Sequence, residues 1–218
     1  MQAKAYKGMG MEGGVARWYD KTTRRDLPEF KALARKVAAT LTPGANVLEV
    51  APGPGFFAIE LAKIGKHEIT GLDISKSFVE IAKRNARQEG VAVDFRQGNA
   101  SQMPFAESTF DFILCRAAFK NFSEPAGALR EMRRVLKPGG RALVIDLRKD
   151  VNKAALDEYI RGLKVGLLDA FMMKWTFRLM LIPRAYTRQQ FAAFISQSGF
   201  ENSRIDETPI GFEITLVK

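Results

Sequence analysis

The sequence predicts an α/β domain: a doubly wound, mostly parallel sheet in three αβα layers, ending in an antiparallel pair of strands. Three observations predict it. The apolar strand Val47-Leu48-Glu49-Val50 runs straight into the Gly/Pro turn Ala51-Pro52-Gly53-Pro54-Gly55, and a helical pattern follows from Phe56 to Lys63. Apolar strands and helices then alternate down to about residue 146, as expected of parallel strands joined by crossover helices. Two final strands are separated only by Pro209-Ile210, and a link that short joins antiparallel neighbours.

The elements follow in order. A helix is predicted over 29–41, with Phe30, Leu33, Val37 and Leu41 at helical spacing and Thr42-Pro43-Gly44 as its stop. Strand one covers 46–50, and the next helix, 55–64, stops at Gly65. Strand two is 68–72, closed by Asp73. Ser75 or Ser77 caps the following helix, Ser77-x-x-Glu80 matching a capping box, and Gly90 ends it. Strands three and four are 91–97 and 110–115. Ser123-Glu124-Pro125 opens a helix that stops at Lys137-Pro138, and strand five is 141–146. Thr187-x-x-Gln190 caps a last helix ending at Gly199, before strands at 203–208 and 211–217. One domain is therefore expected over 1–218, with a mobile Gly/Met/Lys-rich N-terminus (1–14) and a helical cap over about 151–186.

Composition narrows the function. At 218 residues, 46% of them hydrophobic, the chain suffices for one buried parallel sheet. A single cysteine, Cys115, excludes a disulfide framework and thiol-rich metal chemistry. It suits a reducing compartment, so a cytoplasmic protein without a metal is expected. The net charge of +10 is uneven: residues 1–40 carry nine basic and four acidic side chains, whereas 41–110 carry seven and eight. This excess fits a solvated surface, or attraction for an acidic substrate, a membrane surface or RNA.

Glycines at 53 and 55 let the backbone turn tightly and approach a ligand. An acid closing the second strand, Asp73, stands where a parallel sheet grips a ribose diol. Both point to a nucleoside-bearing cofactor. Gly53-x-Gly55-x-x-Ala58 also fits the looser dinucleotide fingerprint, which leaves NAD as an alternative. Glu49, inside the first strand, opposes a pyrophosphate and suits a ligand with a cationic end.

Glu49-x-Ala51-x-Gly53-x-Gly55, Asp73, Phe110-Asp111-Phe112 and Leu136-Lys137-Pro138-Gly139-Gly140 together resemble the class I S-adenosylmethionine-dependent methyltransferases, in particular the small-molecule branch related to ubiquinone/menaquinone biosynthesis. The resemblance covers roughly 15–150. It implies a Rossmann-like fold, S-adenosylmethionine as cofactor, and methyl transfer to a small, partly apolar acceptor. Ala51-Pro52 departs from the small residue or Gly-Cys of many relatives and stiffens the turn. In the resembled fold the last hairpin is typical, and dinucleotide dehydrogenases lack it.

Ligands of such sheets lie beyond the carboxyl ends of the strands. That edge holds 49–55, Asp73-Ile74, Asn99-Ala100, Arg116–Lys120 and Asp146–Arg148, while His67, the one histidine, falls at the opposite end. The expected cofactor residues are Tyr19, Glu49, Ala51, Gly53, Gly55, Asp73, Ile74, Asn99, Ala100 and Arg116. Asn99 takes the place where relatives address the adenine amino group, and Trp18-Tyr19-Asp20 is similar to the aromatic pair that closes over the cofactor. The expected substrate residues are Lys120, Asp146, Arg148, Met172 and Trp175.

Cys115 reads as a buried strand residue, and no catalytic base is assigned. Segment 154–184 is rich in Leu, Met, Phe and Trp. Lys164, Asp169, Lys174 and Arg178 interrupt it too often for a membrane span. They are also read as scattered around the helix, which weighs against an amphipathic surface helix. The Asn/Asp-Pro-Pro-Tyr/Phe tetrad of base methylation is missing, so a nucleic acid is not expected as substrate. Peripheral membrane contact and oligomeric state stay open.

Overall fold

A computed structural model of the chain describes residues 6, 7, 10–163 and 165–218. Its centre is a seven-stranded sheet: β1 (Asn46–Val50), β2 (Glu68–Asp73), β3 (Asp94–Gln97), β4 (Phe110–Arg116), β5 (Leu136–Leu147), β6 (Asn202–Glu207) and β7 (Gly211–Val217), in the order β3-β2-β1-β4-β5-β7-β6. The first five strands are parallel, and β7 runs antiparallel between β5 and β6. The order reverses between β1 and β4, the place where open sheets of this kind receive ligands, at the carboxyl ends of the strands.

Among the described residues, eight α-helices flank the sheet: α1 (Gly13–Thr23), α2 (Leu27–Ala38), α3 (Phe56–Ala62), α4 (Lys76–Gln88), α5 (Pro125–Val135), α6 (Lys153–Gly162), α7 (Leu167–Thr176) and α8 (Arg188–Ser196). Residues 47–50 of β1 are buried on both faces, which is why that strand reads as an apolar run and not as an alternation. One core layer packs Phe30, Val47, Phe57, Ile69, Phe95 and Leu114 under α2, α3 and α4. The other packs Leu48, Ile113, Phe119, Leu129, Phe191 and Phe212 under α5 and α8.

The expected fold class and strand sequence hold, with local differences. α2 begins two residues early because Pro28 suits a first turn, whose N–H groups need no helical partner. The cap of α4 is Ser75, which accepts from Phe78 N; Ser77 is already inside the helix and accepts from Gly13 N, so no capping box forms with Glu80. β3 starts at Asp94 instead of 91, where pairing with Thr70 begins. β5 first pairs at Leu136 with Phe110 and resumes at Arg141 with Phe112, so Lys137–Gly140 bulges out. Gly140 is required there: a Cβ would lie 2.8 Å from the Lys137 carbonyl oxygen. α8 carries the predicted Thr187/Gln190 capping box. Thr208 N donates to Gly211 O across the two-residue turn of the final hairpin.

Of the N-terminus expected to be mobile, residues 1–5, 8 and 9 lie outside the described residues. Tyr6 forms an antiparallel bridge with Phe122, and Lys7 N donates to Asn121 O. Met11 O then accepts from Ser75 Oγ, and Glu12 takes the backbone N–H groups of Lys76 and Ser77. Tyr6 and Lys7 therefore touch the link between β4 and α5, and Met11 and Glu12 touch the start of α4.

Candidate active site

The turn after β1 is built around Phe95. Its ring is buried and fills the space above two glycines: a Cβ on Gly55 would sit 2.7 Å from Phe95 Cζ, and one on Gly71 2.5 Å from Cδ1. Gly55 has φ +82° and Gly53 φ +55°, but a Cβ on Gly53 would meet nothing closer than Tyr19 Cε1 at 3.9 Å. Gly55 is thus closed by packing, whereas a Cβ on Gly53 would fit in ordinary contact with Tyr19 and Phe78. Ala51 also lies in the left-handed region, at φ 57°, as does Ala117 after β4 at φ 58°. Ala51 and Ala117 end neighbouring strands, and a third such residue, Ser108 at φ 52°, precedes β4 at the opposite edge.

Asp73 ties the turn to α4. Its Oδ2 accepts from Gly53 N at 3.0 Å and its Oδ1 from Ser75 N at 2.9 Å. A carboxylate offers about four lone-pair sites, so each oxygen keeps one for a ligand hydroxyl. Glu49, also buried, accepts from Ala58 N at 3.1 Å. Asn85 holds the far side: its amide donates to Pro54 O at 3.0 Å and to Asp20 at 3.1 Å. Anchoring Asp20 sets α1 so that Tyr19 stands over Gly53 and meets Phe78 edge-on, with ring centroids 5.6 Å apart.

Burial pushes Glu49 up to about 8 and Asp73 up to about 6, outweighing the backbone bonds each accepts. Both carboxyls hold protons more tightly folded than unfolded. Their contribution to stability is therefore complete at acid pH and falls as pH rises, through about 6 for Asp73 and about 8 for Glu49. The ligand-free protein should lose a few kcal/mol at most between pH 5 and pH 8. Glu49→Gln should flatten the upper part of that slope. Thermal unfolding against pH checks this; a midpoint equally steep above pH 6 in the variant contradicts it.

At the ends of β4 and β5 the predicted substrate groups are spent on one another. Lys120 Nζ lies 2.9 Å from Asp146 Oδ1, with both side chains buried, and it also donates to Ala117 O. Asp146 further accepts from Lys120 N at 2.8 Å and Leu147 N at 2.7 Å. Arg148 pairs with Asp150 and Glu207, and Arg116 with Glu29 at 2.9 Å while lying 4.4 Å over the Phe30 ring. Arg116, Lys120 and Arg148, all expected at this edge, thus each have a carboxylate partner. Asn99 Oδ1 accepts from Ser101 N, shaping the turn beside Ala100, and Ile74 is partly exposed at the same edge. His67 sits half-buried at the amino end of β2, away from the site.

α6 and α7 stand over this edge near α2. Met172 and Trp175, expected against substrate, are 59% and 57% exposed. The half-buried neighbours on α7 and the π-helical turn that continues it are Met173 and Phe177. Met173 Sδ meets Arg25, and Phe177 meets Tyr159 of α6. Tyr159 is pushed up by burial and by Glu29 and Asp26, and pulled down by Arg116 and Arg25, which places its hydroxyl among the charges beside β4. Sequence reading placed Met173 and Phe177 in the apolar 154–184 segment without choosing them over Met172 and Trp175, and it did not name Tyr159. Only the phase of α7 could have signalled Met173, and a helix apolar on most sides hides its phase.

Residues 48–144 match a family described as methyltransferase domain. Among curated proteins, the chain is 29% identical over 198 residues to a demethylmenaquinone methyltransferase of Chlorobaculum parvum, covering 86% of this chain and 79% of that protein. A ubiquinone/menaquinone biosynthesis C-methyltransferase of Shewanella woodyi is 33% identical over 129 residues, 56% of this chain and 51% of its own length. The chain thus spans about half the length of that relative. A crystal structure of a putative S-adenosyl-L-methionine-dependent methyltransferase from Methanococcus maripaludis superposes with TM-score 0.76 at 21% identity, covering 99% of this chain and 97% of that one. That likeness speaks for the fold.

Proposed function

We propose that this chain, a class I S-adenosylmethionine-dependent methyltransferase resembling the ubiquinone/menaquinone-biosynthesis enzymes, methylates a small, partly apolar acceptor held between the β4–β5 edge and the inner side of α6 and α7. One observation carries the reading: Glu49 and Asp73 face each other at the ends of β1 and β2, with Asp73 holding the Gly53 N–H and Tyr19 lying over Gly53.

Bound S-adenosylmethionine supplies an electrophilic methyl group on a positively charged sulfur. Asp73 would accept from its ribose hydroxyls with the lone pairs left over from Gly53 and Ser75. Glu49, held largely protonated by burial, gains its charge most readily beside a cation, which suits the ammonium and sulfonium end of this ligand. Ala51, Gly53 and Gly55 shape the backbone around it. Ile74, Asn99 and Ala100 would border the adenine, and the backbone of Arg116 the methionine portion. Tyr19 covers the cleft and excludes water.

Because the leaving group of such a transfer would be neutral, this chain would need no residue to stabilise a new anion; its task would be to orient the acceptor and exclude water. Orientation can supply most of the rate, with about 7–11 kcal/mol available in principle. Lys120 and Asp146 brace the wall of the acceptor site without touching the acceptor. Tyr159, Met173 and Phe177 take the lining role that Met172 and Trp175 were expected to fill. Pairing of Arg116 and Arg148 leaves few free cations here for a phosphate backbone, which favours a small molecule over RNA. The buried thiol of Cys115, the chain's one cysteine, favours a cytoplasmic setting.

The test is an acceptor screen of quinol analogues, phenols, thiols and amines with methyl-labelled cofactor. Label transfer to at least one such class is expected. Tight RNA retention that falls steeply with salt, without small-molecule methylation, would move the acceptor to nucleic acid.

A further inference from the structure

We infer that the outer face of α7 docks the protein onto an anionic phospholipid bilayer. None of the ten residues of this helix is buried. Leu167, Phe171 and Trp175 recur every four residues, Leu168 and Met172 stand beside them, and Leu179 prolongs the strip; each is 57% exposed or more. Such spacing gathers them on one side of the helix, one turn above another. Contiguous apolar strips of this kind are rare on a protein surface unless something covers them.

Two of the interrupting charges, Lys174 and Arg178, share one side beside the strip; Lys164 lies outside the described residues. Lys174 Nζ lies 3.0 Å from Asp157 of α6, and Arg178 reaches the same carboxylate at 4.0 Å. The π-helical turn Phe177–Leu181 packs more residues into each turn and so keeps Arg178 on the side of Lys174. One carboxylate thus serves two cations, and residues 153–184 carry six basic against three acidic side chains.

This charge selects the occupant. A second copy docked by two-fold symmetry would bring these cations toward their equivalents, in a chain of net charge +10. Among the described residues no helix is long and apolar enough to cross a membrane. An anionic bilayer satisfies both features: Leu, Phe and Trp enter the acyl boundary while Lys and Arg meet the headgroups. Docking of this kind needs neither cofactor nor acceptor, so it stands apart from the methyl-transfer reading.

The experiment is co-sedimentation of the full chain with vesicles of phosphatidylcholine alone, or of phosphatidylcholine with phosphatidylglycerol. Binding to the anionic vesicles is expected, weakened by salt and slight on phosphatidylcholine. Phe171→Gln with Leu179→Gln should reduce it about tenfold or more without moving the thermal midpoint, since both side chains are exposed. The chain has two tryptophans, so Trp18→Phe leaves Trp175 as the reporter. Its emission should shift to the blue on anionic vesicles. Absence of binding, binding unaffected by the paired substitution, or a still Trp175 emission would overturn the inference. So would a dimer in sedimentation velocity that the same substitutions dissolve, because the face would then belong to a second copy.

Discussion

Gly55→Ala is expected to destabilise the protein by about 2–5 kcal/mol, while Gly53→Ala leaves it folded. At Gly55 two costs add. The left-handed φ of +82° penalises any Cβ, and that Cβ would stand 2.7 Å from Phe95 Cζ and 3.0 Å from Ala82 Cβ. Phe95 cannot yield readily, because its other side already rests on Gly71 and the core is close-packed around it. At Gly53 only the backbone cost of about 1–2 kcal/mol applies. Denaturant unfolding of the two variants separates them. Equal losses would mean that the turn is purely structural, with no side of it reserved for a ligand.

Lys120→Met should cost about 3–5 kcal/mol, because it strands the Asp146 carboxylate in the core. The Lys120 side chain is 4% exposed and that of Asp146 0%, so water cannot take the place of the lost ammonium. The double variant Lys120→Met/Asp146→Asn removes the stranded charge and should recover a good part of the loss. Residual loss is expected, since an amide cannot accept from both the Lys120 and Leu147 N–H groups as the carboxylate does. A double variant less stable than the single would contradict the pairing. A Lys120→Met protein of undiminished stability would show that the pair does not brace the β4–β5 edge.

The sheet and the first turn were legible because their signals are local. Strand, Gly/Pro turn, helix and closing acid lie within 46–73, and each sits where spacing placed it. Long-range pairings were not legible. Lys120 and Asp146 are 26 residues apart, and only the parallel register of β4 and β5 brings them together. The filling of the space above Gly55 and Gly71 by Phe95 depends on three separate strand and turn segments. α7 misled for a different reason. With Leu167, Leu168, Phe171, Met172, Met173, Trp175 and Phe177 in one run, the pattern gives no phase, and Met172 stood as well as Met173 for the inner side. The contacts of Tyr6 and Glu12 with distant segments leave no periodic trace at all.

Calorimetric titration of S-adenosylmethionine and NAD into the wild-type protein and into Gly53→Ala tests the central claim most directly. The account predicts binding of S-adenosylmethionine to the wild type, none of NAD, and weakened binding by a Gly53→Ala protein that unfolds cooperatively as before. Binding of NAD without S-adenosylmethionine, or S-adenosylmethionine binding untouched by Gly53→Ala, would contradict it.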